Sequence, residues 1–579
     1  MKTLLLAINS KYIHTALGMH SIYNYARQQG LDINLREETI QTPLLAVLAL
    51  VVGAKPQVVG MNVHIWNKQY VFELAGLLRQ VLPEVKLVLG GPEVAFTAQD
   101  SLEACTAADY IVQGEGEEVF TNLVQDLAVG KVTKTPFVAY RDDTGAVHNA
   151  GTIARVEDMS TLTFPYADLS QIVSEHKIIY YECTRGCPFS CSYCLSGISH
   201  QVRRRPLPLV LADLTRLMAA KVPLVKFVDR TYNLAEDYFL PIMQYLAAAT
   251  TTTMFHFEIK ADLLSPRVLD FLATVPPQRF QFEIGVQTTN AKTLQAIGRR
   301  DNWQVLAENV HKILSFGTIH VHLDLIAGLP YEGRLSLEQS FNAVYGLQPQ
   351  MLQLGFLKIL KGSKISGELE KYGIVHMSEP PYEVLSTNYL PYKDLLFLKI
   401  FEDVFEHTYN TGKFTHTLAY LVEHCYNSNA FAFYEDLTNC WISQGLYPQG
   451  HNVKNVALLL WQFVQAKQTQ EQTVLQEILR FDVFVGQPNY RPQLFAWHEE
   501  VLKTSTLEFW RRLEVVHKYL PTYDFSTWRK LRKYFPIEIF NWQPETGVNE
   551  ETIILADYTE STTKYLTIAK ADFYDNAVQ

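Results

Sequence analysis

The sequence predicts an α/β chain built from two successive parallel-sheet domains and a third, mainly helical one. Short apolar runs alternate with amphipathic stretches over the first part of the chain. A second such series begins at Ile178, and the alternation stops near Pro380, where long aromatic-rich helical patterns take over. The expected boundaries are a first domain at residues 1–135, a polar linker at 136–169, a second domain at 170–378 and a C-terminal domain at 379–579.

In the first domain Lys2–Ile8, Gln57–Val63, Val85–Leu89 and Asp109–Val112 read as strands, with helical patterns such as Gln69–Val81 between them. The third strand runs directly into Gly90-Gly91-Pro92-Glu93, and the fourth into Gly114-Glu115-Gly116-Glu117-Glu118. Strand, turn and helix in alternation give a doubly wound parallel sheet, which places ligands at the carboxyl ends of strands, where these turns fall. In the second series the strands are Ile178–Tyr181, Leu224–Val228, Met254–Ile259, Arg279–Gly285, His320–Ile326 and Gln350–Phe356. Six strand-helix repeats predict a full or partial parallel (β/α) barrel, again with its chemistry at the carboxyl ends. Helical patterns at Lys393–His407, Asn455–Val464 and Thr506–Lys518 mark the C-terminal domain, followed by strand-like pieces at Thr552–Ala556 and Thr563–Ile568.

Composition narrows the function classes. Of 579 residues 48% are apolar and 19% charged, the balance of an ordinary folded protein. The net charge of −10 argues against nucleic acid as a partner, since phosphate affinity comes from Lys and Arg. The longest apolar run, from Pro43 to Pro56, falls short of the ~20 residues that a membrane span needs, so no membrane association is expected. The N-terminus reads as a buried strand and no signal peptide is expected. Seven cysteines are an odd number, and four crowd between 183 and 194. That pattern fits reduced thiols holding metal in a cytoplasmic protein better than a disulfide framework.

The decisive stretch is YECTRGCPFSCSYCLSG, Tyr181–Gly197. Cys187, Cys191 and Cys194 form C-x3-C-x2-C just after the first strand of the second series. Soft thiolates at such spacing suit an iron-sulfur cluster, with structural zinc and plain buried thiols as alternatives. Three thiolates on a four-iron cluster leave one iron open, able to hold the amino and carboxylate groups of a cosubstrate. Cys183 extends the string to four; as a fourth ligand it would close that iron and leave a cluster suited to electron transfer alone, and otherwise it is a small residue at a strand end. Charged or amide residues also sit in or beside the apolar strands: Asp229, Glu258, Glu283, Gln287 and Asp324. A carboxylate there is costly to bury unpaired, so a shared ligand at one barrel mouth is expected, with internal salt bridging such as Asp324 to Arg299 as the alternative. His200 to Arg205, a basic stretch after the cysteine loop, is expected to be a solvated loop.

With Arg185-Gly186 ahead of the cysteines and Tyr193 directly before the last one, the stretch resembles the radical S-adenosylmethionine superfamily. The resemblance implies a 4Fe-4S cluster on Cys187, Cys191 and Cys194, S-adenosylmethionine on its open iron, and a flavodoxin- or ferredoxin-type reductant. The spacing of Gln287, Arg299 and Asp324, with GVQ before and LDLIAGLP after, resembles the oxygen-independent coproporphyrinogen oxidases of that superfamily. By that likeness Glu258, Gln287, Arg299 and Asp324 lie at the cosubstrate, with Glu258 offset in spacing by a couple of residues, and the superfamily motif adds Tyr193 as a cofactor contact.

A Rossmann-like sheet ahead of such a barrel is similar to the cobalamin-binding domain of a large subgroup of the superfamily. Gly90, Gly91, Pro92, Glu93, Gly114, Glu115 and Gly116 are the implied contacts, small residues letting the backbone approach the corrin. No Asp-x-His-x-x-Gly motif is present, and His14 and His64 stand in other contexts, so cobalamin is expected without a histidine ligand on cobalt. The rival is a domain that has lost its cofactor and serves for docking. The whole order of motifs resembles a bacterial subgroup with a C-terminal domain of unknown function. It implies a methyltransferase acting on a small-molecule or peptide substrate at an unactivated carbon or phosphorus. A cobalamin-linked cyclase or rearrangement enzyme without methyl transfer, and a redox or cobalamin-responsive binding protein, are the alternatives.

Overall fold

The computed structural model describes residues 1–131, 135–142, 144–198, 200–448, 452–466, 472–524, 527–559 and 564–574. Two compact units emerge. The first holds Met1–Ser340, Leu347–Pro349 and Leu354–Leu395; the second holds Phe341–Gly346, Gln350–Gln353 and Leu396–Gln579. Both expected parallel-sheet domains therefore fall in one unit.

The first sheet runs in the order β2-β1-β3-β4-β5-β6-β7. Its strands are β1 (Thr3–Asn9), β2 (Ile33–Thr39), β3 (Val58–Asn62), β4 (Lys86–Gly90), β5 (Tyr110–Val112), β6 (Val138–Arg141) and β7 (Val147–His148). The first five are parallel; β6 and β7 add antiparallel. Every residue of β1 is buried, as a central strand covered on both faces must be. Leu4, Leu6 and Ile8 pack with the helices Leu44–Ala54 and Lys68–Val81, while Leu5 and Ala7 pack with Leu17–Gln28 and Gly116–Ala128. Two parts of the sheet differ from the sequence expectation. β2 is an edge strand rich in polar residues, with Asn34 and Arg36 exposed and Glu37 turned inward to His20 and Lys177, so it lacks the apolar run that marks its neighbours. Residues 138–148, expected in the linker, extend the sheet.

The second sheet runs β15-β14-β13-β12-β11-β8, an open parallel sheet of six strands and thus the partial form of the barrel. Its strands are β8 (Ile179–Tyr181), β11 (Leu224–Phe227), β12 (Met254–Ile259), β13 (Phe280–Gln287), β14 (His320–Ala327) and β15 (Met351–Phe356). Between β8 and β11 a short antiparallel ladder, β9 (Thr184–Arg185) with β10 (Arg203–Arg204), closes a loop. β16 (Val375–His376) and β17 (Val384–Ser386) form a later hairpin.

The second unit is mainly helical and ends in an antiparallel sheet of β18 (Ile537–Phe540), β19 (Thr552–Asp557) and β20 (Lys564–Ile568). The expected strand start at Thr563 lies outside the described residues. At its core Arg480 is buried, pairs with Glu477 and Glu538 at 2.9 and 3.2 Å, and lies 4.2 Å over the Phe540 ring. No described helix is long and apolar enough to cross a membrane.

Candidate active site

The β9/β10 ladder pairs Arg185 with Arg203 and Thr184 with Arg204, so the three cysteines ride on a loop pinched at its base. Cys187 is buried and its Sγ lies 3.7 Å from Thr231 Oγ1; Cys191 and Cys194 are half-buried. The loop is held along its length. Cys194 N–H donates to Cys191 O (3.1 Å), Ser192 N–H to Ile297 O (2.8 Å), and Ile365 N–H to Ser192 O (2.9 Å). Gly298 adopts φ +68°, and a Cβ there would stand 2.8 Å from Ser190 O, so this approach requires glycine. Burial raises the Cys191 thiol pKa, against the pull of Arg299.

Cys183 is turned to other work. Fully buried Asp229 accepts its N–H (3.2 Å) and its thiol (3.1 Å), together with the Thr184 hydroxyl (2.5 Å). Burial pushes the Asp229 carboxyl up to about 6. This organises the strand end that launches the cysteine loop, where the sequence placed Asp229 only among the carboxylates expected at the barrel mouth.

Arg299 uses its whole guanidinium. Nη1 donates to the Tyr193 hydroxyl at 3.3 Å, Nη2 to the Gly285 carbonyl, and Nε to Asp301. Its acidic partner is thus Asp301, not Asp324. Gln287 sits at φ +67° where the β13–β14 register shifts, with its side chain folded over Gly285. Its buried Oε1 has no hydrogen-bond partner among the described residues. A buried acceptor left unmet is expensive, and a cosubstrate donor would relieve it. Glu258, Glu283 and Asp324 lie on successive strands β12, β13 and β14, in the register Glu258 opposite Glu283 and Gly285 opposite Asp324. Burial raises the pKa of Glu258 and of Asp324, while the hydrogen bond from His256 (2.9 Å) lowers that of Glu283.

On the first sheet, the two glycine turns and the barrel mouth enclose one cavity of about 750 Å³, in the upper part of the range of small-molecule sites. Gly90, Gly91, Pro92, Gly114, Glu115 and Gly116 line it from one side, and Tyr180, Glu182, Arg185, Gly186 and Arg230 from the other. The turn glycines also have an internal reason. At Gly91 (φ +109°) a Cβ would stand 2.6 Å from Val63 O, and at Gly114 (φ +99°) it would overlap Ala154 O.

The two acidic turn residues are held in polar contacts within the protein, and of the two Glu115 lines the cavity. Glu93, buried, receives Tyr382 Oη–H and lies 3.5 Å from Lys68 Nζ. The Glu115 carboxylate receives Arg203 (2.6 Å), Arg185 (3.0 Å) and the Val156 N–H (2.8 Å), and Glu117 receives Arg185 (2.7 Å). These carboxylates hold the first sheet to the cysteine-loop ladder and to the segment after the barrel. Arg203 and Arg205 are correspondingly buried, Arg205 on Asp213 at 2.9 Å, so only part of the basic stretch is solvated: His200, Gln201 and Arg204 are exposed. His14 Nδ1 meets the Tyr180 hydroxyl at 2.8 Å, and His64 stacks on Trp66 with ring centroids 4.3 Å apart. Burial drops the His64 pKa to about 4, keeping the ring neutral. His256 and His322, beside the barrel carboxylates, were missed by sequence reasoning. Their signal was the alternation of polar with apolar residues in FHFE and HVHLD.

Family comparisons agree with this architecture. The B12 binding domain family matches residues 3–124, the Radical SAM superfamily residues 181–344, and a protein family of unknown function (DUF4080) residues 370–555. The chain is similar to the uncharacterized methyltransferase PH0819 of Pyrococcus horikoshii, 23% identical over 49% of this chain and 62% of that one. It is also similar to the cobalamin-dependent radical SAM methyltransferase TokK of Streptomyces tokunonensis, 24% identical over 55% of this chain and 50% of that one. It thus spans only about half to three-fifths of these relatives' length. Among solved structures the cobalamin-dependent S-adenosylmethionine radical enzyme OxsB shares the fold, with TM-score 0.60 at 14% identity over 83% of this chain and 78% of that one. The two matched N-terminal domains imply cobalamin, a 4Fe-4S cluster and S-adenosylmethionine, and the cysteine loop, the unmet Gln287 acceptor and the shared cavity fit such groups. In chain order, most of the first sheet falls within the B12 binding domain match, the cysteine loop and most of the second sheet within the Radical SAM match, and most of the helical unit within the match to the family of unknown function.

Proposed function

We propose that the chain is a cobalamin-dependent radical S-adenosylmethionine methyltransferase acting at an unactivated carbon or phosphorus. The observation that carries this reading is the one cavity walled by both the glycine turns of the first sheet and the barrel mouth. Methyl transfer is favoured over rearrangement by the relatives named as methyltransferases. In this reading Cys187, Cys191 and Cys194 hold the cluster and leave one iron open, because the Cys183 thiol is committed to Asp229. Tyr193, Glu258, Gln287, Arg299 and Asp324 surround the cosubstrate, with Gln287 Oε1 accepting from it. Gly90, Gly91, Pro92, Gly114 and Gly116 floor the corrin, while Glu93 and Glu115 act through docking. No histidine ligates cobalt, in keeping with His14 held by Tyr180 and His64 stacked on Trp66. When bound, these groups supply a 5'-deoxyadenosyl radical and a transferable methyl group. Among the described residues no two cysteines are joined by a disulfide, in keeping with a reducing cytoplasm; a flavodoxin- or ferredoxin-type protein is the proposed reductant.

The test is anaerobic reconstitution followed by dithionite and S-adenosylmethionine. Both 5'-deoxyadenosine and S-adenosylhomocysteine are expected, and Cys183→Ala is expected to keep its cluster and the cleavage. Formation of 5'-deoxyadenosine alone, even with candidate substrates present, would move the reading to rearrangement. Loss of the cluster in Cys183→Ala would favour a fully ligated, electron-transferring centre.

A further inference from the structure

The inner face of strands β12–β14 carries a second cluster of donor groups, distinct from the cysteine loop. One ligand atom each from Glu283, His322 and Asp324 lies within 4.8 Å of the other two. We propose that these three side chains bind a divalent metal ion.

The placement follows from strand register. Glu283 stands opposite His322 on the neighbouring strand, and His322 and Asp324, two residues apart, point to the same face. His322 Nε2 and Asp324 Oδ1 are 3.1 Å apart. Donors bound at ~2.1 Å from one ion in tetrahedral geometry stand ~3.4 Å from each other, so the widest pair must close by up to about 1.4 Å through side-chain rotation. One imidazole and two carboxylates suit Zn²⁺, Mn²⁺ or Fe²⁺.

Outer partners are already in place. His256 Nε2 is 2.9 Å from Glu283 Oε2; His256 Nδ1 is 3.2 Å from Gln281 Oε1, and Gln281 Nε2 is 3.1 Å from His320 Nδ1. Such a chain orients ligands. The electrostatics also ask for a cation. Glu258 brings a third carboxylate beside Glu283 and Asp324, and the fixed positive charges acting on the group are Arg230 on Glu258 and Lys226 on Glu283. Side-chain exposures of 31% for Glu283, 10% for His322 and 19% for Asp324 leave the cluster partly open. Three protein donors keep coordination positions for water or a substrate oxygen. A carboxylate can bridge, so Asp324 can serve the metal and the cosubstrate together.

The test is titration of the chelator-treated, cluster-reconstituted full chain with Mn²⁺, followed by the EPR signal of the free ion. About one bound Mn²⁺ per chain is expected, with affinity falling at least tenfold in Glu283→Gln and in His322→Gln while the visible absorbance of the cluster is kept. The triple variant Cys187→Ala/Cys191→Ala/Cys194→Ala, which removes the radical chemistry, is expected to keep the Mn²⁺ site, so the two readings fail separately. If one carboxamide variant loses its cluster through misfolding, the other decides. No bound Mn²⁺, or binding unchanged in the variants that fold, overturns the assignment.

Discussion

Asp229 is the clearest case of a single residue with a measurable signature. It is fully buried and accepts hydrogen bonds from Cys183 and Thr184, yet burial outweighs them and lifts its pKa to about 6 from an ordinary 3.8. A folded-state pKa above the unfolded one means that the folded chain binds more protons between roughly pH 4 and pH 6. Stability from this group is therefore full below pH 4 and is lost as pH rises through 6, by about 3 kcal/mol over the ~2 units. In thermal unfolding of the full chain before cluster loading, the advantage of wild type over Asp229→Asn is expected to shrink by a few degrees from pH 4 to pH 6. A pH-independent difference between the two would contradict that burial effect. The residue was legible in sequence only as a carboxylate in an apolar strand end; its partner Cys183 was read as a possible ligand, because spacing shows which thiols are near one another and not which way each points.

At the scale of elements, the glycine turns after β4 and β5 are held by the backbone itself. Gly91→Ala would place a Cβ 2.6 Å from Val63 O at φ +109°, and Gly114→Ala meets Ala154 O at φ +99°. Each is expected to destabilise the first sheet by about 1–3 kcal/mol, read as a lower unfolding midpoint, and to weaken cobalamin binding with it. Gly90→Ala, whose Cβ would stand 3.8 Å from Val112, is expected to be tolerated by the fold. Equal stability loss in all three would contradict the geometry. These turns were visible in the sequence because Gly-rich segments follow apolar runs, and the central strands because burial on both faces leaves unbroken apolar stretches. β2 was not visible, since an edge strand keeps a polar face, and β6 and β7 were hidden in a stretch whose composition is that of a linker.

Across the whole first unit, the sheet and the barrel are joined by charge. Arg185 and Arg203 reach Glu115 and Glu117 over sequence separations of 68 to 88 residues, and Tyr382 reaches Glu93 over 289. Nothing in local periodicity announces such pairs. Glu93 and Glu115 are expected beside the corrin from their place in the turns, and Glu115 does line the cavity while also pairing with the two arginines. Removing one member of a buried ion pair is far more costly than the pair is stabilising, so this network acts mainly by fixing which surfaces meet. What it fixes is the cavity between the glycine turns and the cysteine-loop ladder. The three domain matches lie in chain order along motifs that the sequence already displayed; the shared wall between two of them came only from the fold.

The central claim is the proposal that cobalamin in that cavity lies beside a cluster held on the adjoining cysteine loop. Its most direct measurement is EPR of the full chain carrying cob(II)alamin and the reduced cluster. The geometry predicts a magnetic interaction between the two centres, seen as splitting or broadening absent from samples loaded with either alone, and no nitrogen hyperfine pattern from a histidine on cobalt. A spectrum that is the simple sum of two isolated signals, or a chain that takes up no cobalamin, would contradict it.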